Sequence, residues 1–360
     1  MMTEQQAMSD LAIPPGEYLL EVLEDMEINQ AELARRMGRP AQTINEILKG
    51  DKAITPETAL QLEQVLGVPA YFWSNLESEY RLVLAKEAAF QQAQTETEIA
   101  TAYPYNEIAK LGLVEKTRVA VEKVNQLKKF FGVSSLLNIE SVKEYQPAFR
   151  QHENANTSNT ALAAWLRAGH TLASQIKTSP FNKSSLLNAL PDIRALSLET
   201  QPEKLLLALR QHLASCGVAL VVIPHFTKTY TTGATYWVGK QKAVIMMSLR
   251  GGWTDIFWFS LFHEIAHILL HDKRTTFLEA DAQNPQYRKQ EEQADQFAQT
   301  TLIPQDQYDA FVVESDFSES AIIQFAQNIG IFAGIVTGRL QHDKHLTYNK
   351  NHHRIRFRWE

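Results

Sequence analysis

Cysteine is nearly absent from this sequence, which has a single one, Cys216, among 360 residues. A lone cysteine rules out a disulfide within the chain and is typical of a reducing compartment. No basic stretch followed by an apolar core opens the chain, so a secretory signal is not predicted. The longest apolar run, residues 257–270, is too short to span a bilayer and contains histidine and glutamate. We therefore expect a cytoplasmic protein without a membrane partner.

A surplus of basic residues is lacking as well, because the formal net charge is −6. Hydrophobic residues make up 44% and charged residues 21%, as in ordinary globular proteins, and 360 residues suffice for two or three domains. Before residue 80 the basic residues crowd around one short helix and follow an acidic segment: they are Arg35, Arg36, Arg39, Lys49 and Lys52. A basic edge on an acidic domain is the minimum that a DNA-binding domain requires.

One apolar helix of the carboxyl-terminal half is predicted to carry a metal site. Residues 257–270 are apolar on all sides of a helical wheel except for two histidines and one glutamate. His263 and His267 stand four residues apart, so both rings lie on one face and can bind one Zn²⁺ at about 2.0–2.1 Å each. Glu264 is placed to take a proton from a water molecule in the open position of the metal. Two core histidines that happen to flank a glutamate are the alternative.

The third metal ligand has to come from elsewhere, because one straight helix cannot supply it. His271 continues the spacing, but each four-residue step climbs about 6 Å along the axis. Residues 291–302 predict a second helix, and Glu291 shares its apolar face. We predict Glu291 as the third ligand and Asp295 as the carboxylate that orients a ligand histidine. Weaker candidates for the third position stay open: Glu279, Asp281 and Glu292.

The first hundred residues predict a bundle of short helices with strong end signals. Asn29 and Thr55 have the form of N-caps, and Gly38, Gly50 and Gly67 end successive helices. Two short helices joined by a glycine turn within such a bundle are typical of a helix-turn-helix domain. The alternative is a helical bundle used only for protein contacts.

Several short pieces of this region stand out in order: Pro15-Gly16-Glu17, Leu33-Ala34, Ile44-Asn45, Lys49-Gly50, Ile54-Thr55 and Phe72 to Leu76. Together they resemble the HigA-type antitoxins, a Cro/cI-like repressor subgroup. The resemblance implies a homodimeric repressor that binds a palindromic operator in double-stranded DNA. The helix over residues 41–49 would then enter the major groove, with Gln42, Thr43 and Asn45 near base edges. Phosphate contacts would come from Gln30, Arg35, Arg39 and Lys49.

The middle of the chain is predicted to be helical up to about residue 210, with a boundary near residue 100. Helical spacing of apolar residues runs from Ile108 to Phe131, and further helices are expected at 160–177 and 202–215. Short apolar runs at 217–223, 235–238 and 243–248 predict strands. Four side chains could stabilise an oxyanion, and the sequence does not choose among them: His225, Tyr230, Tyr236 and Arg250. The alternating tail 354–359 predicts a half-buried strand.

With the strands in place, the carboxyl-terminal part resembles the ImmA/IrrE family of zinc metallopeptidases. The matching pieces are Phe257 to His271, Glu291 to Ala298, Ile303-Pro304 and several short pieces from Ile322 to Gln341. The resemblance implies a gluzincin-like fold, zinc, and cleavage of a regulatory protein, often a repressor. Gln293 departs from the pattern, because many members carry an acidic residue at that position.

These patterns together predict a mostly helical α+β protein in three parts. Residues 1–100 form a helix-turn-helix domain with a trailing helix, 101–210 a helical middle region, and 211–360 a metallopeptidase-like domain with a small sheet. The functional hypothesis is a DNA-binding, antitoxin-like regulator that carries a zinc endopeptidase and cleaves a protein partner. The alternative is a repressor or antitoxin whose metallopeptidase-like domain senses or binds a partner, such as a toxin, without cleaving it.

Overall fold

The computed structural model describes residues 13–149, 157–248, 252–271, 277–278, 285–349 and 353–357. The chain divides into two compact units, Met1–Thr97 and Glu98–Glu360. It is a mostly helical α+β protein, as the sequence predicts. The weaker candidates Glu279 and Asp281, and also Arg250, lie outside the described residues.

The first unit is a helical bundle whose helix ends follow the capping signals. Its helices are α1 (Pro15–Asp25), α2 (Gln30–Met37), α3 (Ala41–Leu48), α4 (Pro56–Leu66) and α5 (Ala70–Thr95). The Asn29 side chain accepts a hydrogen bond from the backbone N–H of Glu32, and Gly38 ends α2 with a left-handed φ of 65°. Thr55 caps α4 in the same way through the N–H of Thr58. The predicted helix-turn-helix geometry, α2–turn–α3, is therefore present.

Three close contacts hold α3 and the segment after it within this bundle. A Cβ on Gly16 would lie 2.2 Å from the carbonyl oxygen of Leu48, so only glycine lets α1 approach the end of α3. Behind α3, Glu77 of α5 accepts a hydrogen bond from the N–H of Ile54 at 3.0 Å. Arg81, one turn further along α5, donates to the carbonyl of Gly50 at 3.2 Å. The exposed face of α3 is thus supported by a rigid apolar core.

The second unit begins with helices that lead to the sheet. They are α6 (Thr97–Ala100), α7 (Tyr105–Lys110), α8 (Ala120–Phe131), α9 (Gln146–Phe149), α10 (Asn159–Gln175), α11 (Lys183–Ala195) and α12 (Pro202–Ser215). The helical stretch expected from 108 to 131 is interrupted, because a non-helical segment separates α7 from α8. Short 3-10 turns occupy Leu136–Ser141 and Leu196–Leu198.

A small mixed sheet forms the centre of the second unit. Its strands are β1 (Val218–Ile223), β2 (Gly233–Val238), β3 (Lys242–Ser248) and β4 (Phe277–Leu278), in the order β1-β3-β2-β4. β1 runs parallel to β3, whereas β2 is antiparallel to both β3 and β4. Because side chains alternate along β2, Thr235 faces the helix that follows β3, and Tyr236 stacks on His170 of α10 on the other face.

The remaining helices enclose α13 (Thr254–Leu270), which carries the two histidines. They are α14 (Pro285–Leu302), α15 (Gln305–Glu314), α16 (Glu319–Ile329) and α17 (Ala333–His342). Both faces of α13 are covered, so its apolar residues belong to the main core of the unit. Among the described residues no single helix is long and apolar enough to cross a membrane, although α16 and α17, bent by 113° at their break, meet the length and composition criteria as a pair.

The carboxyl-terminal tail pairs with the segment just before α13. The N–H of Phe357 donates to the carbonyl of Gly252 at 2.7 Å, and the N–H of Thr254 donates to that of Ile355 at 3.0 Å. A single antiparallel bridge joins Trp253 to Arg356. The strand expected over 354–359 is therefore reduced to one bridge within the described residues 353–357.

Candidate metal centre and nucleic-acid interface

Three polar side chains of α13 are buried in an apolar layer. His263, Glu264 and His267 are only 3%, 2% and 2% exposed, and their neighbours on the helix are core residues. Buried ionisable groups need partners or a metal, because an isolated charge in an apolar layer is costly. Their positions follow from the four-residue spacing, which places both imidazoles on the face that meets α14.

Glu291 of α14 completes a cluster with the two imidazoles. Nε2 of His263 lies 3.0 Å from Nε2 of His267 and 3.2 Å from Oε2 of Glu291. Nε2 of His267 lies 3.4 Å from Oε1 of Glu291. The structure therefore brings together the three residues that the sequence analysis singled out as ligands.

The donor set fits a tetrahedral Zn²⁺ site. Ligand atoms about 2.0–2.1 Å from a tetrahedral ion are separated by roughly 3.3–3.4 Å, close to the distances within this cluster. Both nitrogens of His267 face nitrogens of other histidines, although a neutral imidazole carries only one proton. Oε1 of Glu291 is buried without a hydrogen-bond partner among the described residues. A cation bound by Nε2 of both histidines and by Glu291 would satisfy those atoms, and His267 would keep its one proton on Nδ1.

Asp295 lies one turn after Glu291 and contacts the first histidine. Its Oδ1 is 2.9 Å from Nδ1 of His263, on the side of the ring that faces away from the cluster. Burial lowers the pKa of His263, but hydrogen bonds to Asp295 and Glu291 outweigh burial and raise the pKa to about 10. The carboxylates around this ring therefore favour a positive charge at the cluster, whether a proton or a metal ion supplies it.

His267 has the opposite electrostatic environment. Burial, together with the neighbouring His263 and His271 rings, lowers the pKa of His267 to about 2. A histidine that stays neutral keeps its Nε2 lone pair available to a metal. His271 has a lowered pKa through burial as well, and its Nε2 lies 3.3 Å from Oε1 of Gln293.

Glu264 is held in place by contacts with β2. The hydroxyl of Thr235 donates to Oε2 of Glu264 and contacts its backbone carbonyl at 3.3 Å. A Cβ on Gly233 would lie 2.3 Å from Oε1 of Glu264, so this glycine leaves the space that the carboxylate occupies. The sequence analysis missed both residues, because their contact with α13 depends on the register of the sheet.

The other candidates that lie within the described part of the chain are not among the clustered ligand residues. Glu292 is exposed on α14. Tyr236 points to the face of the sheet that packs on α10, and burial raises its pKa. His225 is exposed at the end of β1, and Tyr230 is 46% exposed.

The predicted DNA-binding residues lie on the exposed sides of α2 and α3. Gln42, Asn45 and Lys49 are exposed, Thr43 is half-buried, and Gln30 is the exposed first residue of α2. Nε2 of Gln42 donates to Glu46 at 3.0 Å, one turn further along α3. The side chains expected at base edges therefore share one surface.

Two of the predicted phosphate contacts are arginines already paired with acidic groups. Arg35 pairs with Glu32 at 2.7 Å. Arg39 donates to Gln61 at 2.5 Å and to Glu57 at 3.3 Å, and both partners lie on α4. A phosphate would have to displace or share these partners, so acidic neighbours weaken the basic edge.

Two family models match separate parts of the chain. A helix-turn-helix model matches residues 19–73, and the model of the IrrE N-terminal-like domain, a peptidase family, matches residues 221–340. The chain is also 33% identical to YddM, an HTH-type transcriptional regulator of Escherichia coli K12, over 73 residues, which are 20% of this chain and 78% of that protein. The chain belongs to the helix-turn-helix regulators and carries an IrrE N-terminal-like domain. Both resemblances stated from the sequence are thus confirmed.

Further relatives match the chain over a similarly short length. Virulence-associated protein I of Dichelobacter nodosus is 36% identical over 77 residues, 21% of this chain and 71% of that protein. Among solved structures, the Pseudomonas aeruginosa antitoxin HigA with the higBA promoter is 37% identical and covers 24% of this chain and 95% of that one, with a TM-score of 0.23. A HigA-family antidote protein from Coxiella burnetii is 31% identical, and the match covers 24% of this chain and 94% of that one, with a TM-score of 0.22.

The two matches coincide with the two sites described above. The helix-turn-helix match includes α2 and α3 with their exposed polar residues. The IrrE N-terminal-like match includes His263, His267 and Glu291. The protein is thus a helix-turn-helix regulator fused to a domain of a metallopeptidase-type family.

Proposed function

We propose that the IrrE N-terminal-like domain is a zinc endopeptidase that cleaves a regulatory protein partner. The observation that carries the proposal is the convergence of His263, His267 and Glu291 within 3.0–3.4 Å of one another, with Glu264 buried beside them. His263, His267 and Glu291 would hold the metal, and Asp295 would orient His263. The protein would act in the cytoplasm.

Zinc, when bound, supplies a Lewis acid that polarises a peptide carbonyl and lowers the pKa of a bound water to about 7. Glu264 is the group of this chain that moves the proton: it takes one from the attacking water and returns it to the leaving amine. Thr235 and Gly233 hold the Glu264 carboxylate in place for that exchange. Asp295 keeps the His263 ring in the orientation that directs Nε2 towards the cluster.

We further propose that the helix-turn-helix domain binds a palindromic operator as a homodimer. Support comes from the exposed polar face of α3 and from the match to helix-turn-helix regulators. Gln42, Thr43 and Asn45 would contact base edges in the major groove. Gln30, Arg35, Arg39 and Lys49 would contact phosphates and fix the register of the protein on the duplex.

A second candidate function is partner binding without cleavage. Glu264 is 2% exposed and hydrogen-bonded to Thr235, so a substrate carbonyl has to displace part of this packing before it meets the proposed proton carrier. A domain closed in this way could sense or bind a toxin or repressor and hydrolyse little. Substitution of Glu264 separates the two functions.

The peptidase proposal is tested by Glu264→Gln, which keeps the size of the side chain and removes its ability to accept a proton. New protein amino termini are mapped in cells that express the wild type, Glu264→Gln or the control Glu292→Gln. We expect the wild type and the control to generate cleavage products that Glu264→Gln does not, with zinc content equal in all three. Equal products in all three would contradict the proposal, and no products with zinc bound would favour partner binding.

The DNA proposal is tested with duplexes selected from a random library by the wild-type protein. Gln42→Ala combined with Thr43→Ala should weaken binding by about 1–3 kcal/mol for each lost base contact. Gln64→Ala, on the exposed side of α4, serves as the control. A double variant that binds DNA like the wild type would exclude α3 as the helix that contacts base edges. A loss of zinc in that variant would show that the two units do not function independently.

A further inference from the structure

We propose that His271 and Gln293 form a hydrogen-bond relay that orients His267 as a metal ligand. The inference rests on the proposed metal site, because the relay ends at Nε2 of His267. Asp295 performs the corresponding task for His263, so each ligand histidine has its own positioning partner. His271 and Gln293 are positioning residues, since neither is among the clustered ligand atoms.

The relay is a continuous line of close polar contacts between α13 and α14. Nδ1 of His267 lies 2.9 Å from Nδ1 of His271. Nε2 of His271, on the far side of that ring, lies 3.3 Å from Oε1 of Gln293. Gln293 follows the ligand Glu291 by two residues on α14, so one helix supplies both a ligand and the end of the relay.

The direction of the hydrogen bonds follows from counting protons. When Nε2 of His267 binds a metal, the neutral ring carries its proton on Nδ1 and donates it. The neighbouring Nδ1 of His271 must then accept, so the single proton of neutral His271 lies on Nε2. That proton points at Oε1 of Gln293, which can only accept. Each atom of the relay therefore has one role that is consistent with its neighbours.

His271 lies one turn beyond His267, at the carboxyl end of α13. His271 is the C-cap residue and leaves the helix with φ −115° and ψ 170°, although its N–H still donates to the carbonyl of His267 at 3.3 Å. Its ring turns back towards the His267 ring, and the two centroids are 5.0 Å apart. The straight-helix argument that excludes His271 as a ligand does not exclude it as a hydrogen-bond partner.

Charge balance favours a neutral relay at this side of the site. Glu264, Glu291 and Asp295 already place three carboxylates at the site, opposite one divalent cation. A carboxylate at position 293 would add a fourth, whereas the glutamine amide supplies an acceptor without charge. The residue that departs from the family pattern thus suits the role that the geometry gives it.

The test compares zinc affinity in His271 variants of the full chain. His271→Asn places an amide oxygen near the position of Nδ1 and can still accept from His267, whereas His271→Leu cannot. Zinc dissociation constants are measured by competition with a chelator. We expect His271→Leu to bind zinc roughly 10–100-fold more weakly than the wild type and His271→Asn to recover most of that loss. Equal losses in both variants, or no loss in His271→Leu, would overturn the relay.

Gln293 provides a second test that does not depend on a change in α13. Gln293→Met removes the acceptor at an exposed position, and Gln296→Met changes the next exposed glutamine of α14, which contributes no side-chain contact to the relay. We expect Gln293→Met to bind zinc more weakly than the wild type and Gln296→Met to bind zinc as tightly as the wild type. Similar affinities of the two variants would contradict the role of Gln293.

A spectroscopic measurement reports the proton positions directly. Nitrogen-15 spectra of the zinc-loaded, histidine-labelled wild type should show His271 with its proton on Nε2 and His267 with its proton on Nδ1. A proton on Nδ1 of His271 would overturn the relay while leaving the metal site intact. A wild type that binds no zinc would instead overturn the proposed function, and the relay with it.

Discussion

At the scale of single residues, Glu264 depends on β2 for its position. Oε2 accepts from the Thr235 hydroxyl, and Oε1 occupies the space left by the missing Cβ of Gly233. The carboxylate is thereby confined against β2. Confinement of this kind keeps a proton-transferring group close to its working geometry.

Gly233→Ala should therefore destabilise the folded protein through a clash with Glu264. The added methyl would lie 2.3 Å from Oε1 and 2.8 Å from Cδ of Glu264, so the carboxylate has to move. Overpacking of this kind costs about 1–3 kcal/mol of the free energy of unfolding, measured by denaturant titration. In a Glu264→Ala background the clash is absent, so the same substitution should cost much less. Equal costs in both backgrounds would show that the glycine serves another purpose.

Candidate ligands that stand at a fixed spacing on helices could be predicted from the sequence. Contacts between segments distant in the sequence could not. The four-residue spacing of His263 and His267 and the apolar face of α14 were sufficient to single out Glu291 and Asp295. Thr235 and Gly233 gave no such signal, because any strand carries small and hydroxylated residues. Their role depends on which face of β2 packs on α13, and the register of the sheet decides that.

At the scale of elements, the carboxyl-terminal tail fixes the start of the helix that carries the two clustered histidines. Arg354 donates to both carboxylate oxygens of Asp255, at 3.0 and 2.7 Å, in the first turn of α13. A Cβ on Gly338 of α17 would lie 2.4 Å from Oδ2 of the same carboxylate, so α17 packs closely against this ion pair. Both partners are largely buried.

Arg354→Met should destabilise the second unit by about 3–5 kcal/mol, because it leaves the buried Asp255 carboxylate without its counter-ion. Burial already raises the pKa of Asp255 against the lowering effect of Arg354. A carboxyl whose pKa is raised on folding is tolerated when protonated and opposes folding once it ionises. The loss of unfolding free energy in Arg354→Met should therefore become smaller as the pH is lowered from neutral towards about 4.

Arg356→Met is the matched control, since Arg356 stacks on the Trp253 ring at 4.4 Å but is exposed. Such a contact contributes about 0.5–1 kcal/mol, with little dependence on pH. Chemical denaturation of the two variants at both pH values gives the comparison. A loss in Arg354→Met that is no larger than in the control would mean that the ion pair does not stabilise this end of α13.

Helix ends with capping residues were predictable, whereas interrupted helices were not. Asn29, Gly38 and Thr55 fixed the limits of α2 and α4 because their effects are local. The helix α11 was missed, since Pro191 inside it argues against a helix in any local reading. β4 was missed as well, because two residues carry no detectable period and depend on pairing with β2.

At the scale of the whole molecule, the two candidate sites lie in different compact units. The helix-turn-helix lies within Met1–Thr97, and the clustered histidines lie within Glu98–Glu360. The split of the second unit into a helical middle region and a sheet-containing domain at about residue 210 stays a prediction. So do the homodimer and the identity of the protein partner, because both concern surfaces between molecules.

The central claim is that His263, His267 and Glu291 bind one zinc ion. The most direct measurement is the zinc content of the purified full chain after exposure to excess zinc and removal of unbound metal. The account predicts about one zinc per chain in the wild type and in Glu264→Gln, and a large loss in Glu291→Ala. A wild type without zinc, or a Glu291→Ala variant that retains all of it, would contradict the account.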